Sequence, residues 1–250
     1  QAANSLPNSE DHIFVVLNEH LAKYPLESSL KNKFPKAKII PINEVTKGQA
    51  ITCSLGLGDS DSNSSLLIAA TDNGMIYDKV KYKDLIDDVH IDAIIFTFRN
   101  HVSSKNNPQM YGWVKTDKHD NALGVSVKVP LSDSPEKDHA IVGTFYFKKT
   151  LFYKQALKKL LDKDVKVNGE YYVDSLMGEV IDLGLNVKVF EIEDYIGWGT
   201  PDDYETFVYW QSFFHKVKWH PYNLEKDITV DQDKLLDLTN KYKKFKQDFR

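Results

Sequence analysis

Residues 168–214 read NGEYYVDSLMGEVIDLGLNVKVFEIEDYIGWGTPDDYETFVYWQSFF, and the fold is stated most clearly here. A helix is expected around residues 172–183, stopped by Gly184, because helices commonly end on a glycine that accepts the left-handed conformation. VKVFEIE (187–193) follows as a strand, then a sharp turn, then a second helix opening at Thr200. Thr200-Pro201-Asp202-Asp203 puts a hydroxyl at the N-cap, proline at the first helical position and carboxylates in the first turn. Two polar clusters interrupt the pattern: Asn168-Gly169-Glu170 with Asp174, and Gly197-Trp198-Gly199-Thr200-Pro201.

The same alternation recurs upstream. IFVVL (13–17) is a continuous apolar run that suits a buried parallel strand. Helical pieces are expected around Pro25 over 20–34, and KIIPI (38–42) is a second strand. After Thr46-Lys47-Gly48 comes QAITCSLGL, a helix stopping at Gly56 or Gly58, and DSDSNSS (59–65) reads as a solvated loop. LLIAATDNG is a third buried strand that delivers Asp72 and Asn73 at its carboxyl end. A short helix over 81–89 and the strand DAIIFTFR (92–99) complete the alternation, the signature of a mostly parallel α/β sheet.

The middle of the chain changes character. YGWVKTD (111–117), VSVKVP (125–130) and AIVGTFYF (140–147) are β-rich with no helix between them, so a small antiparallel excursion at the sheet edge is expected. A lysine-bearing helix follows over 149–162. The chain ends in a charged amphipathic helix, DKLLDLTNKYKKFKQDF. The expected organisation is one domain over 1–218 with a C-terminal helical extension over 219–250.

Composition sets bounds on function. A chain of 250 residues can bury a substantial core. A formal net charge of -4 argues against a general binder of nucleic acid or of anionic membranes. No apolar run approaches the roughly 20 residues needed to span a bilayer, and no signal-peptide pattern opens the chain. A cytoplasmic protein is therefore expected, and a homo-oligomer fits the sequence as well as a monomer does. Cys53 is the only cysteine, which excludes a disulfide framework or a thiolate metal site.

Asp72 and Asn73 stand where an apolar strand ends, the place where ligands bind in open α/β sheets. A carboxylate there suits Mg²⁺, and Asp-Asn-Gly equally suits a plain turn. Lys47, Gly48 and Gln49 occupy a loop-to-helix junction where amides and a cation can approach a base or phosphate, or simply start a helix. Lys128 in VKVP either projects its charge towards a phosphate or is a solvated strand lysine. Glu170 and Asp174, four apart around a helix start, share one face and could bind sugar hydroxyls or a cation; the helix dipole alone also favours them there. Asp59-Ser60-Asp61-Ser62-Asn63 mimics half a calcium loop, but Ser64 stands in place of the glycine and Ala70 in place of the bidentate glutamate. His215 and His220 lack a nearby third ligand for zinc. GxSxG, P-loop and GxGxxG motifs are absent from the sequence.

Taken in order, these segments resemble the sugar-phosphate nucleotidyltransferase family, the NDP-sugar pyrophosphorylases with a Rossmann-like fold of GT-A type. Lys47-Gly48-Gln49-Ala50 is similar to the family's base-contacting loop and precedes the third-strand Asp72-Asn73. Tyr111-Gly112-Trp113-Val114 comes next, and residues 128–130 are similar to the Glu-Lys-Pro segment. Residues 143–147 resemble the Gly-x-Tyr-x-Phe strand. Gly169-Glu170 with Asp174, then Gly199-Thr200-Pro201-Asp202-Asp203, resemble the sugar-contacting and closing motifs.

The resemblance covers about residues 12–214 and implies transfer of a nucleotidyl group from an NTP to a sugar 1-phosphate or similar phosphorylated alcohol. Pyrophosphate is released and Mg²⁺ is the cofactor. It implies that Asp72 holds the metal, that Lys128 meets the sugar phosphate, and that Gly143, Glu170 and Asp174 meet the sugar. Lys47, Gly48, Gln49, Asn73, Gly112 and Trp198 are further substrate contacts on this view. The family opens with a strand and a Gly-x-Gly-x-Arg loop followed by Pro-Lys-Pro. Residues 1–11 resemble what lies just after these, so a chain lacking that loop and a central strand is expected. At Gly197 many relatives carry a second metal-binding aspartate, and the nearest upstream carboxylate here is Asp194. Two alternatives stand beside this reading. One is a nucleotide-sugar-dependent glycosyltransferase of GT-A type using Asp59-Ser60-Asp61 or Asp72, and the other is a non-catalytic ligand-binding domain.

Overall fold

The structure, a computed structural model, describes residues 2–58, 60–217 and 221–227. The described chain divides into two compact units. One comprises residues 7–69 and 77–193, and the other comprises residues 2–6, 70–76 and those following 193.

The first unit begins with β1 (Ile13–Leu17), α1 (Asn18–Lys23), α2 (Leu26–Lys33), β2 (Lys38–Ile42), α3 (Gln49–Leu57) and β3 (Leu66–Ala69). The second unit contributes β4 (Asn73–Ile76). The first unit resumes with α4 (Lys79–Asp87), β5 (Ala93–Phe98), α5 (Val102–Asn106), β6 (Gly112–Thr116), β7 (Ala122–Val127) and β8 (His139–Phe147). It closes with α6 (Thr150–Asp162), α7 (Val173–Asp182) and β9 (Val187–Glu191). The second unit then adds β10 (Asp194–Gly197) and α8 (Pro201–Lys216).

The main sheet has six strands, ordered β7-β6-β8-β5-β9 with β3 also paired to β8. β5 and β9 are parallel, whereas β8 is antiparallel to β3, β5 and β6, and β7 is antiparallel to β6. Strands β3, β5, β6 and β9 therefore share one direction, and the sheet is the expected mixed, Rossmann-like one. The antiparallel part does not lie at its edge. β8 runs through the interior, with β5 on one side and, end to end on the other, β6 at His139–Ala140 and β3 at residues 144–147. Its sequence explains this placement: HAIVGTFYF is buried along almost all its length, as a strand covered on both faces must be.

Successive strand residues face opposite sides, and each side has its own cover. Ile95, Ile141, Phe145 and Phe147 pack with Tyr153, Ala156 and Leu160 of α6 and with Leu176, Met177 and Val180 of α7. Phe96 and Phe190 meet Tyr82 of α4, with ring centroids 5.1–5.8 Å apart. Each such side chain contributes roughly 1.5–3 kcal/mol on burial.

β1 and β2 form a separate parallel pair. β1 is only half-buried and Ile13 is 40% exposed, although its apolar run predicts full burial. The reason is its environment, since among the described residues it has a single strand partner. Pro25 separates α1 from α2, as its missing N–H and fixed φ require. α3 ends on Gly58 at φ +46°, where a Cβ would be strained.

In the second unit β4 pairs antiparallel with β10, Asn73 opposite Gly197 and Asp194 opposite Ile76. Neither strand is foreseen in the sequence. LLIAATDNG stops as a strand at Ala69, bends at Thr71–Asp72 and restarts as β4, so Asn73-Gly74 lies in a strand and not in a turn. α8 starts as expected, with Thr200 Oγ1 accepting from the Asp203 N–H at 3.2 Å. The expected helix over 233–249 lies outside the described residues, as does most of the extension over 219–250. Among the described residues no helix is long and apolar enough to cross a membrane.

Candidate functional site

Most of the residues singled out in the sequence gather within the first unit. Val167 and Glu170 exchange both backbone hydrogen bonds at 3.0 Å around Asn168 and Gly169, which have φ of +51° and +84°. Asn-Gly with both central residues left-handed is the tight hairpin turn this dipeptide favours. α7 begins only at Val173, so Glu170 precedes the helix. The expectation that Glu170 and Asp174 share a helical face is therefore incorrect, because the Asn-Gly turn takes the residues a longer helix would have needed.

The loop carrying Lys47, Gly48 and Gln49 is stitched to the segment just past this turn. The Tyr171 N–H donates to the Lys47 carbonyl at 2.9 Å, and the Ala50 N–H donates to the Tyr171 carbonyl at 3.0 Å. A Cβ on Gly48 would come within 2.5 Å of the Tyr171 backbone nitrogen, and its φ is +127°. Glycine is needed there for the two segments to touch. The Lys47 and Gln49 residues themselves are exposed, Gln49 at the first position of α3.

Lys128 does not sit in a strand. β7 ends at Val127, and Lys128 follows at φ +64°, an arrangement that costs a non-glycine residue roughly 1 kcal/mol or more. Its N–H donates to the Tyr111 carbonyl at 3.0 Å, and its ammonium donates to the Met110 carbonyl at 2.5 Å. The same ammonium lies 5.4 Å from the centroid of the Tyr172 ring. Gly112, the first residue of β6, is buried and pairs with Val127 just before Lys128, and a Cβ there would be 2.2 Å from Asp174 Oδ2. The missing side chain makes room for the carboxylate. Burial pushes the Asp174 carboxyl up to about 6 against the pull of the Lys128 ammonium. Burial also raises the Tyr172 hydroxyl, with Glu170 adding to the effect.

Gly143 sits on β8 at φ +89°, where the pairing of β8 with β5 shifts register between Ile95 and Thr97. It is a bulge glycine, and the bulge exposes local backbone groups that a regular ladder would use.

Asp72, Asn73 and Trp198 come together in the second unit. The Trp198 N–H donates to the Asp72 carbonyl at 2.7 Å, and Asn73 Nδ2 lies 3.4 Å from Asp72 Oδ1. The Trp198 indole covers Gly74, where a Cβ would fall 2.8 Å from Cη2, and stacks obliquely on Phe207 at 5.0 Å. Its Nε1–H is buried without a partner among the described residues. Asp72 itself is exposed, and Gly199 leaves space beside its carboxylate. Asp194 does not replace the carboxylate absent at Gly197. It sits at the far end of the ladder, three strand residues or about 10 Å away. Among the described residues no group of three His, Cys, Asp or Glu side chains could hold a metal. One exposed carboxylate fits Mg²⁺ only as an ion that keeps its waters and is carried on substrate phosphates.

The remaining candidates have local explanations or fall outside the described chain. Asp59 is not described, and the Asp61 carboxylate accepts from the Asn63 N–H at 3.0 Å in its own turn. His220 is also not described, while His215 Nδ1 lies 2.9 Å from Glu225 Oε1. Sequence reasoning overlooked Tyr172, the ring beneath the Lys128 ammonium. Its signal was the Tyr-Tyr pair directly after Asn-Gly-Glu.

No protein-family model matches the chain, and no curated protein matches it in sequence. Solved structures do share its fold. The nucleoside-diphosphate-sugar pyrophosphorylase from Vibrio cholerae RC9 is 21% identical with a TM-score of 0.63, over 80% of each chain. The inositol-1-phosphate CTP transferase from T. maritima is 14% identical with a TM-score of 0.59, over 80% of this chain and 74% of that one. A UDP-glucose pyrophosphorylase complexed with UDP-glucose is 13% identical with a TM-score of 0.60, over 81% of each. At these identities the likeness establishes the fold.

Proposed function

We propose that this chain is a nucleotidyltransferase that moves a nucleotidyl group from an NTP to a sugar 1-phosphate or a similar phosphorylated alcohol. The observation that carries this reading is Lys128. A lysine held in a left-handed conformation, its ammonium fixed by Met110 and Tyr172 beside a side-chain-free Gly112, is a prepared anion contact. It stands on a fold that solved sugar nucleotidyltransferases share.

In the reaction a sugar-phosphate oxygen bonds to the α-phosphorus while the bond from that phosphorus to pyrophosphate breaks. The protein's work is positioning and electrostatics. Lys128 neutralises the sugar phosphate. Glu170, Asp174 and the Gly143 bulge receive sugar hydroxyls, with Gly112 leaving room for the Asp174 carboxylate. Lys47, Gly48 and Gln49 approach the base, with the loop braced against Tyr171. Trp198 fixes the backbone of Asp72 and the Asn73 amide lies against its carboxylate, which would hold Mg²⁺ carried on the nucleotide phosphates. That ion supplies charge neutralisation when bound. A cytoplasmic setting accords with NTP as a substrate. The nucleotidyltransferase part is taken as residues 1–218, with 219–250 as an extension.

Pyrophosphate release, measured over a panel of NTPs and sugar 1-phosphates, tests the reading. Release with at least one pair is expected, and silence with every pair overturns it. Lys128→Ala should lower kcat/KM by about 100-fold. Asp72→Asn should weaken Mg²⁺-dependent nucleotide binding with the fold intact; an unchanged metal dependence refutes that assignment.

A further inference from the structure

Lys128 and Asp174 pack against the same short segment, the ammonium on the Met110 carbonyl and the carboxylate over Gly112, without forming an ion pair. The lysine gives its ammonium to the Met110 carbonyl and the Tyr172 ring, while its charge still acts on the Asp174 carboxyl. Asp174 Oδ2 lies in the space left by Gly112, with Ile141 Cδ1 beside it, and the hydrogen bond that favours its charged form comes from its own backbone. A charged carboxylate is thus kept next to an anion contact with little to satisfy it.

We propose that Asp174 is a charge gate for the Lys128 site: an anionic group takes the Lys128 ammonium as the Asp174 carboxylate takes up a proton. This rests on the reading above only in treating Lys128 as an anion contact.

The surroundings support it. The turn after β7 contributes Lys128 as the cation. The segment before α7 contributes Glu170 and Tyr172, and Asp174 itself acts on the Tyr172 hydroxyl. β6 and β8 contribute uncharged Gly112 and Ile141. An incoming anion therefore shares the Lys128 charge with carboxylates already present. Like charges in one site disfavour ionisation, so the bound anion raises the Asp174 pKa further. In the free protein that carboxyl titrates at about 6. Affinity is then constant below about pH 6, where Asp174 is protonated with or without ligand. It falls as pH rises from there to the higher value of the complex.

Sulfate is the probe, because its double charge does not change between pH 5.5 and 8.5. Titration calorimetry should give a Kd about tenfold weaker at pH 8.5 than at 5.5. At pH 7, buffers of different ionisation enthalpy should reveal proton uptake on binding. Asp174→Asn should bind sulfate as tightly as the wild type does at pH 5.5, and without pH dependence. Asp174→Ser serves if the asparagine variant does not fold. Lys128→Met should lose binding at every pH. A flat wild-type profile, binding without proton uptake, a variant that keeps the wild-type slope, or no sulfate binding at all overturns the gate. Pyrophosphate release with a flat sulfate profile defeats the gate alone, and a steep profile without release defeats the proposed reaction alone.

Discussion

At the first turn of α7 Asp174 holds a half-buried charge with no ion-pair partner among the described residues, and five residues later Glu179 holds a buried one that is fully matched. Both Glu179 oxygens accept from Lys163 Nζ at 2.8 Å, Lys159 stands 3.9 Å away, and Lys163 also reaches Asp182 at 3.2 Å. Glu179 is only 6% exposed, yet its charge is answered by an arrangement that joins α6 to α7. One helix thus carries a carboxylate that ties it to its neighbour and another that the fold tolerates. The difference separates a charge that joins two helices from one whose desolvation costs stability, and binding groups are often held at such a cost.

Gly112→Ala should break the comparison most severely. The new Cβ would stand 2.2 Å from Asp174 Oδ2 and 2.9 Å from Ile141 Cδ1, expelling the carboxylate from its place. A loss of about 3 kcal/mol is expected in urea denaturation, and an unaltered midpoint would show that the carboxylate does not occupy that space. Glu179→Ala should cost about 2 kcal/mol by removing the answered charge and its packing; a neutral result would make the α6–α7 bridge ornamental.

Asp174→Asn should act in the opposite direction. The folded carboxyl titrates at about 6, above the 3.8 of an ordinary aspartate. The folded state thus holds its proton more tightly than the unfolded chain. Asp174 carries no penalty below about pH 4, and the penalty grows between 4 and 6 and is complete above. The variant should gain on the order of 1–2 kcal/mol at pH 7.5 and nothing at pH 4, and an equal gain at both values would remove the titration from the account. Smallest is the coupling. Five helical residues separate the two carboxylates by about 7.5 Å along the axis, so Asp174→Asn with Glu179→Ala should be additive within about 0.5 kcal/mol.

Much of this was legible in the sequence. The Thr200-Pro201 helix start, the Gly58 stop and strands β1, β2, β5, β6 and β9 follow from local rules that tertiary packing did not overturn. Lys47-Gly48, Gly112, Lys128 and Asn168-Gly169-Glu170, singled out in the sequence, all fall in one unit. What remained hidden depends on partners distant in the chain. β4 and β10 are four residues each and acquire their strand character from one another. β8 reads as an edge strand until β3, β5 and β6 are seen to share it. The left-handed Lys128 is invisible because a lysine does not announce a positive φ as glycine does.

That sharing of β8 sets a timetable for the growing chain. β3 and β5 have their antiparallel partner only once residues 139–147 exist, and the other partner of β5, β9, comes later still. From Phe98 to Phe147 is 49 residues, which at translation rates of roughly 5–20 residues per second is about 2–10 s. During that interval Ile94, Ile95 and Phe96, each 0% exposed in the finished fold, have no sheet to enter. A ribosome pause just before His139 should therefore promote aggregation of the nascent chain, whereas one after β9 has emerged should be harmless.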